Sequence, residues 1–244
     1  MLTPSVLIRS FGDLLSPPRC AACSERAVRA TQVFCPACAA TVERCEGETS
    51  GIAFAYYGGA LATAIRRFKY EDSPHLARPL GALVRQACRT APFTAEVVVP
   101  VPLHPRRLVE RGYNQSALLA HHVASELAVP LLTRALGRVI DTPPQAVLSG
   151  AARRLNMAAA FRVLRPHAIA GRTVALVDDV LTTGTTLAAC RQALLAGGAT
   201  SVTSVVVART PASDLGILAD GAADEAAKVQ AFGPRASSGC AIAP

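Results

Sequence analysis

The chain has 244 residues, enough for one α/β domain with a large hydrophobic core and a smaller unit beside it. Although 51% of its residues are hydrophobic, no apolar run approaches the roughly 20 residues that a membrane-spanning helix needs. Arg9 and Asp13 interrupt the apolar N-terminus, and no small-residue cleavage site follows, so we predict a soluble, cytoplasmic protein without a signal peptide. The formal net charge of +8 favours an anionic partner, and a solvated basic surface is the alternative explanation.

The first 50 residues stand apart because they hold five of the eight cysteines. Four of these cysteines form two C-x-x-C pairs, and each pair can bend into a turn that presents two thiolates to one tetrahedral ion. We predict a structural zinc module over residues 1–50, with an iron–sulfur centre or a redox dithiol as the alternatives. Cys45 is an alternative ligand. The predicted zinc ligands are Cys20, Cys23, Cys35 and Cys38.

From residue 51 onward, strand-like and helix-like segments alternate, which is typical of a parallel α/β sheet. One doubly wound domain over residues 51–210 accounts for all of them. Small and polar residues dominate 211–244, for which we predict a disordered tail. The predicted strands are 53–57, 96–102, 130–133, 173–177 and 201–208, and the predicted helices are 60–70, 76–89, 115–127 and 184–196.

The most informative segment is 174–186. An apolar run typical of a buried strand ends there at two acids, and a Thr/Gly loop follows and leads into a helix. Backbone N–H groups at a helix start, together with threonine hydroxyls, suit a phosphate. Gly184 can adopt the positive φ that a close backbone approach requires. Asp178 and Asp179 would repel a phosphate, so we assign them to the hydroxyls of a sugar beside it.

A structural explanation of the same segment is that the acids form a polar strand exit and the threonines only cap the helix. The ordered string VDDVLTTGTT favours ligand binding over that explanation. Neither a Walker A pattern nor G-x-G-x-x-G occurs, so nucleotide triphosphate and dinucleotide sites lose their main support. The predicted phosphate and sugar site comprises Asp178, Asp179, Thr182, Thr183, Gly184, Thr185 and Thr186.

Basic residues follow the strand at 96–102, in what we predict to be a loop. Guanidinium groups at the carboxyl end of a strand suit a multiply charged anion. The loop arginines are Arg106, Arg107 and Arg111, followed by Gly112. Arg153 and Arg154 lie after a Pro-rich stretch, in a segment that we predict to be a mobile cover over the site. Lys69 and Arg67 either reach the site or lie on the surface.

The string VALVDDVLTTGTT resembles the binding signature for phosphoribosyl pyrophosphate (PRPP) in phosphoribosyltransferases. With P-V-P-L-x-x-x-R, R-G-Y-N-Q, T-P-P-Q and R-x-x-N in that order, residues 20 to about 210 resemble the ComF family, which includes ComFC and GntX-like proteins. The resemblance implies a type I phosphoribosyltransferase fold, a parallel doubly wound sheet with a hood, behind an N-terminal zinc module. It also implies that the acids bind the ribose hydroxyls and that the loop binds the 5′-phosphate of PRPP.

The resemblance further implies a group of residues at the pyrophosphate and hood, namely Arg107, Arg111, Gly112, Arg153 and Arg154. Mg²⁺ would accompany PRPP and, with Arg111, offset the charge on the departing pyrophosphate. Two functions remain open. One is a competence protein for DNA uptake that binds PRPP, with single-stranded DNA and the competence helicase machinery as partners. The other is a phosphoribosyltransferase of nucleotide or base salvage, with an unidentified acceptor.

Overall fold

The computed structural model describes residues 18–45, 51–91, 93–139 and 160–211. Single 3₁₀ turns occur at Pro74–Leu76 and Pro166–Ala168. No helix in these described ranges is long and apolar enough to cross a membrane. In chain order the elements are α1 (Pro36–Ala39), β1 (Ile52–Tyr56), α2 (Gly59–Tyr70), α3 (Ala77–Thr90), β2 (Val97–Pro100), α4 (Pro105–Arg111), α5 (Gln115–Leu127), β3 (Leu136–Arg138), β4 (Phe161–Val163), β5 (Thr173–Leu181), α6 (Thr185–Ala196) and β6 (Ser201–Arg209).

Four strands form one fully parallel sheet in the order β1–β6–β5–β2. One of its two inner strands, β5, contains four consecutive buried residues, 174–177, as expected of a strand covered on both faces. The segment predicted as a strand at 130–133 contributes a single parallel bridge, between Leu131 and Val98 of β2. Because all four strands run in one direction, their carboxyl ends meet at one edge, where ligands bind in open α/β sheets.

Helices pack on both faces of the sheet, because successive residues of a strand point to opposite sides. Ala175 and Val177 belong to the buried cluster that includes α2, α3 and α5. Val174 and Leu176 belong to the cluster that includes α6. The predicted alternation of strands and helices is therefore confirmed as a layered parallel α/β structure. Cys88 and Cys190, predicted to be core residues, are buried in α3 and α6 respectively.

The segment after β2 differs from its prediction as a loop, because it forms the short helix α4. Pro105 occupies its first turn, where a fixed φ suits a helix and the missing N–H costs nothing. The side chain of His104 accepts a hydrogen bond from the N–H of Arg106 at 3.3 Å. Gly112, with φ 76°, then ends the helix in a left-handed conformation.

β3 and β4 form a separate antiparallel pair, which flanks residues 140–159 in the sequence. Several predictions concern segments outside the described residues. They are the basic cover with Arg153 and Arg154, the T-P-P-Q stretch at 142–145, residues 1–17 and 46–50 of the zinc module, and residues 212–244 of the tail. The boundaries of the three predicted domains stay predictions.

Candidate functional site

The two acids of the predicted sugar site lie at the carboxyl end of β5. Asp179 is 3% exposed, and its Oδ1 lies 3.0 Å from Nζ of Lys69 in α2. The other oxygen of this carboxylate, Oδ2, is buried and has no hydrogen-bond partner among the described residues. A buried acceptor without a partner is costly to the folded state. Oδ2 of Asp179 is therefore available to accept a hydrogen bond from a ligand.

Asp178 is held by a different set of contacts. Its Oδ1 accepts hydrogen bonds from Oγ of Ser116 at 2.7 Å and from the backbone N–H of Asp179 at 2.9 Å. Burial, followed by the nearby charge of Asp179, raises the pKa of Asp178 to about 7 despite the opposing effects of Lys69 and Ser116. Asp178 therefore changes its charge near neutral pH, and its acceptor strength changes with it.

Lys69 supplies positive charge beside the two acids, through its contact with Asp179. Burial alone would lower the pKa of Lys69, but the charges of Asp179 and Asp178 raise it above its usual value. The lysine therefore stays protonated, and it forms an ion pair with the buried carboxylate of Asp179.

The Thr/Gly loop follows the acids and leads into α6. Gly184, with φ 73°, is the N-cap residue of α6 and supplies no side chain to cap it. The first turn of α6 contains no acid, and the hydroxyls of Thr183 and Thr185 lie 3.0 Å apart beside it. Unpaired N–H groups and the positive end of the helix dipole make this loop chemically suited to an anion.

The R-G-Y-N-Q segment links β2, α2 and α5. Asn114 caps α5, since its Oδ1 accepts a hydrogen bond from the N–H of Ser116 at 2.9 Å, while its Nδ2 donates to the carbonyl oxygen of Val101 at 3.1 Å. The hydroxyl of Tyr113 donates to the carbonyl oxygen of Phe68. These bonds hold the start of α5 at the carboxyl end of β2, which brings Ser116 to Asp178.

The arginines predicted to bind a multiply charged anion lie on or beside α4. Cζ of Arg111 lies 5.2 Å from the ring centroid of Tyr70, the residue after Lys69. Arg106 forms an exposed ion pair with Glu110 at 3.1 Å. Arg107 is partly exposed on the same helix. Arg111 thus lies near the lysine end of α2. Contacts of Arg107, Arg111 and Gly112 with a pyrophosphate stay predictions.

The four predicted zinc ligands form a cluster. Their Sγ atoms all lie within 4.8 Å of one another, and Cys45 is outside this group. A tetrahedral ion with bonds of about 2.3 Å would place the sulfurs about 3.8 Å apart, so the residues fit zinc, which would act there as a structural ion. The cluster comprises Cys20 and Cys35, which are buried, and Cys23 and Cys38, which are partly buried.

The thiols of this cluster differ in acidity. Burial would raise the pKa of Cys20, but hydrogen bonds from the backbone of Cys35, Cys23 and Ala22 outweigh it and lower the pKa to about 6. Burial, followed by the neighbouring thiols, raises the pKa of Cys38 to about 12. Backbone donors therefore already favour one thiolate, and a bound cation would stabilise the others.

Two residues of the site were not assigned from the sequence. For Lys69 the sequence allows either the site or the surface, and the structure brings it to Asp179. Ser116 was not identified at all. Its one signal is its place in the first turn of α5, next to β2, but only the pairing of β2 with β5 brings that turn to the acids. Arg67, for which the sequence allows the same two positions, contacts the cysteine-rich segment instead.

Comparison with known proteins places the chain among named relatives. Residues 113–221 match the family described as Phosphoribosyl transferase domain. Competence protein F of Haemophilus influenzae is 38% identical over 138 residues, which cover 54% of this chain and 60% of that protein, less than two thirds of its length. DNA utilization protein YhgH of Escherichia coli K12 is 33% identical over 207 residues, which cover 78% of this chain and 90% of that protein.

Among solved structures, the allosteric regulatory enzyme of purine biosynthesis is similar, with a TM-score of 0.40 and 20% identity over 54% of this chain and 26% of that chain. The match to the phosphoribosyl transferase domain, together with the parallel sheet, confirms the predicted type I phosphoribosyltransferase fold. The four cysteines predicted as zinc ligands likewise lie together, in a cluster that could hold a metal ion.

Proposed function

Because the chain belongs to the ComF family, with a phosphoribosyltransferase fold and a cysteine cluster that fits zinc, we propose that it binds PRPP at the carboxyl end of β5. The observation that carries the proposal is the buried Oδ2 of Asp179, which has no partner in the described part of the chain and lies just before the Thr/Gly loop. A ribose hydroxyl supplies the missing donor, and the adjoining loop accommodates the 5′-phosphate.

Each part of the site has a separate task in this proposal. Lys69 pairs with Oδ1 of Asp179 and leaves Oδ2 available for a ribose hydroxyl. Asp178, oriented by Ser116, accepts from the second hydroxyl. The loop 182–186 holds the 5′-phosphate through backbone N–H groups and threonine hydroxyls, and the positive φ of Gly184 allows close approach.

The pyrophosphate of PRPP would lie toward α4. Arg107 and Arg111 with Gly112 would bind it there, and Arg153 and Arg154 would cover it. Lys69 already pairs with Asp179, so PRPP itself would be the main holder of Mg²⁺, which would supply charge that offsets that of the phosphates. We propose a phosphoribosyltransferase reaction as the second step, in which the C1–oxygen bond to pyrophosphate breaks and an unidentified acceptor bonds to C1.

Titration calorimetry of the zinc-loaded chain with PRPP and Mg²⁺ tests the proposal. We expect binding by the unaltered chain and at least a hundredfold loss of affinity in Asp178→Asn plus Asp179→Asn, because both ribose acceptors lose their charge. Glu96→Gln is the matched control, since Glu96 lies at the opposite end of β5, where its Oε2 accepts from the N–H of Thr173 at 2.9 Å. Undiminished binding by the double variant would contradict the site assignment.

We also propose a cytoplasmic role in DNA uptake, on the ground that the similar proteins are named Competence protein F and DNA utilization protein YhgH. The net charge of +8 is consistent with contact to single-stranded DNA, and the competence helicase machinery is the expected partner. Retention of a labelled single-stranded oligonucleotide should fall steeply as salt rises. No retention at low salt would contradict direct DNA binding. The function of a salvage enzyme without a DNA role would then be favoured.

A further inference from the structure

Helix α2 lies between the cysteine cluster and the acids of β5. Its last turn carries Lys69, which pairs with Asp179 at 3.0 Å. Its two ends contact the two C-x-x-C segments separately, so the cluster and the ligand site share one rigid element.

The N-terminal end of α2 is capped by a residue from the cysteine-rich segment. Gly58, its N-cap residue, offers no side chain, and Oγ1 of Thr41 accepts the N–H of Ala60 at 2.9 Å instead. The same hydroxyl donates to the carbonyl oxygen of Cys38 at 2.8 Å. The approach is close, because a Cβ on Gly59 would lie 2.4 Å from the carbonyl oxygen of Thr41. The start of α2 therefore depends on the position of the second C-x-x-C pair.

The last turn of α2 contacts the first C-x-x-C pair. Nη1 of Arg67 donates to the carbonyl oxygens of Ala21 at 3.0 Å and Ala22 at 3.3 Å, the two residues between Cys20 and Cys23. Residues of this pair also belong to the buried cluster that contains α2. The arginine lies two residues before Lys69, so the contact fixes the turn that presents the lysine to Asp179.

We propose that metal loading of the four cysteines positions Lys69 through α2 and thereby sets the affinity for PRPP, an inference that rests on the proposed function. Turns of the C-x-x-C type are held in place by their metal. Without it, Thr41 and the carbonyls of Ala21 and Ala22 lose their fixed positions, and α2 loosens at both ends. Withdrawal of Lys69 leaves the buried carboxylate of Asp179 without the partner of its Oδ1, and so without the contact that positions Oδ2 as a ribose acceptor.

Variants that remove the two contacts without touching a cysteine or the ligand site test this coupling. We expect Arg67→Met and Thr41→Val each to weaken PRPP binding about five- to tenfold while one zinc per chain is retained. The matched controls are Arg78→Met, exposed on α3, and Thr63→Val, whose hydroxyl bonds within α2 to the carbonyl of Gly59 at 3.2 Å. Neither control should change the affinity. If Arg67→Met and Thr41→Val bind PRPP as tightly as the controls and the unaltered chain do, the coupling is overturned while the proposed function stands.

Hydrogen exchange of the amides of residues 60–70 gives a readout that needs no PRPP. We expect faster exchange in Arg67→Met, in Thr41→Val and after zinc removal, and unchanged exchange in the controls. If the unaltered chain does not bind PRPP, the proposed function fails, and these amides alone decide whether the metal positions α2. Unchanged exchange would then overturn the inference.

Coupling between two sites is reciprocal. If zinc strengthens PRPP binding fivefold, PRPP must strengthen zinc binding by the same factor. Competition with a chromophoric chelator in the presence and absence of PRPP measures this directly. Zinc affinity that is independent of PRPP, in a chain that binds PRPP, would contradict the proposal.

Discussion

The cysteine cluster and the acids at the end of β5 are opposite kinds of polar site. The cluster is closed, since four thiols lie within 4.8 Å of one another and a tetrahedral ion would use all of them. The acid site is open, with a buried oxygen of Asp179 that has no partner among the described residues and an Asp178 whose pKa is raised to about 7. An unsatisfied buried acceptor costs stability, and the proposal of a ligand site at this edge of the sheet rests on that oxygen.

Breaking the closed site should have the largest effect. In Cys35→Ser we expect loss of bound zinc and of the folded segment 18–45, because metal binding to such a module contributes on the order of 10 kcal/mol. Metal analysis after dialysis against a chelator, with far-UV circular dichroism, checks this. Cys45→Ser is the matched control and should keep its zinc, since Cys45 is outside the cluster. Zinc loss in that control instead would show that the ligand set is wrong.

Removing the cation of the open site should have the next largest effect. Lys69→Met leaves Asp179 buried without its partner, for which we expect a loss of about 3 kcal/mol in the free energy of unfolding at pH 7. Urea denaturation measures it. Lys69→Arg keeps the charge and should recover most of the loss. If Lys69→Met were as stable as the unaltered chain, the ion pair would not support the acid site.

The open site should also show itself in the pH dependence of stability. The pKa of Asp178 is raised to about 7 in the folded chain, so the folded state binds more protons than the unfolded state between about pH 4 and pH 7. Stability contributed by this group therefore falls as pH rises through that window. Asp178→Asn stays neutral and can still accept a hydrogen bond from Ser116. Between pH 5 and pH 8 its free energy of unfolding should therefore fall by about 3 kcal/mol less than that of the unaltered chain. Parallel stability curves for the two chains would contradict the raised pKa.

The smallest expected effect comes from the hydroxyl that orients Asp178. Ser116→Ala removes one hydrogen bond of 2.7 Å and should cost about 1 kcal/mol in stability at pH 8, where Asp178 is ionised. Thermal unfolding checks it, with Ser125→Ala, exposed on the same helix, as the control. An equal effect of the two substitutions would show that the Ser116 contact contributes nothing specific.

The two sites also differ in how well the sequence predicts them. The cysteine cluster lies within one short segment, and the spacing of its ligands is enough to predict it. The acids and the Thr/Gly loop are likewise contiguous and were predicted. Lys69 and Ser116 come from helices far away in the chain, and they meet the acids only because β1, β6, β5 and β2 pair in that order. No local pattern encodes that order.

The prediction of a loop after β2 failed for a different reason. A proline and several arginines suggest a loop, yet Pro105 suits the first turn of a helix and Gly112 suits its end. The two residues thus bound a helix of seven residues, too short for a clear apolar periodicity. Signals at helix ends were more informative here than the charge pattern.

The most direct test of the central claim is a crystal structure of the chain with PRPP and Mg²⁺. We predict the 5′-phosphate at the backbone N–H groups of the loop 182–186, and a ribose hydroxyl about 2.7 Å from Oδ2 of Asp179. Lys69 should still contact Oδ1 of that residue. A phosphate bound elsewhere, or a ribose that leaves Oδ2 of Asp179 without a partner, would contradict the account.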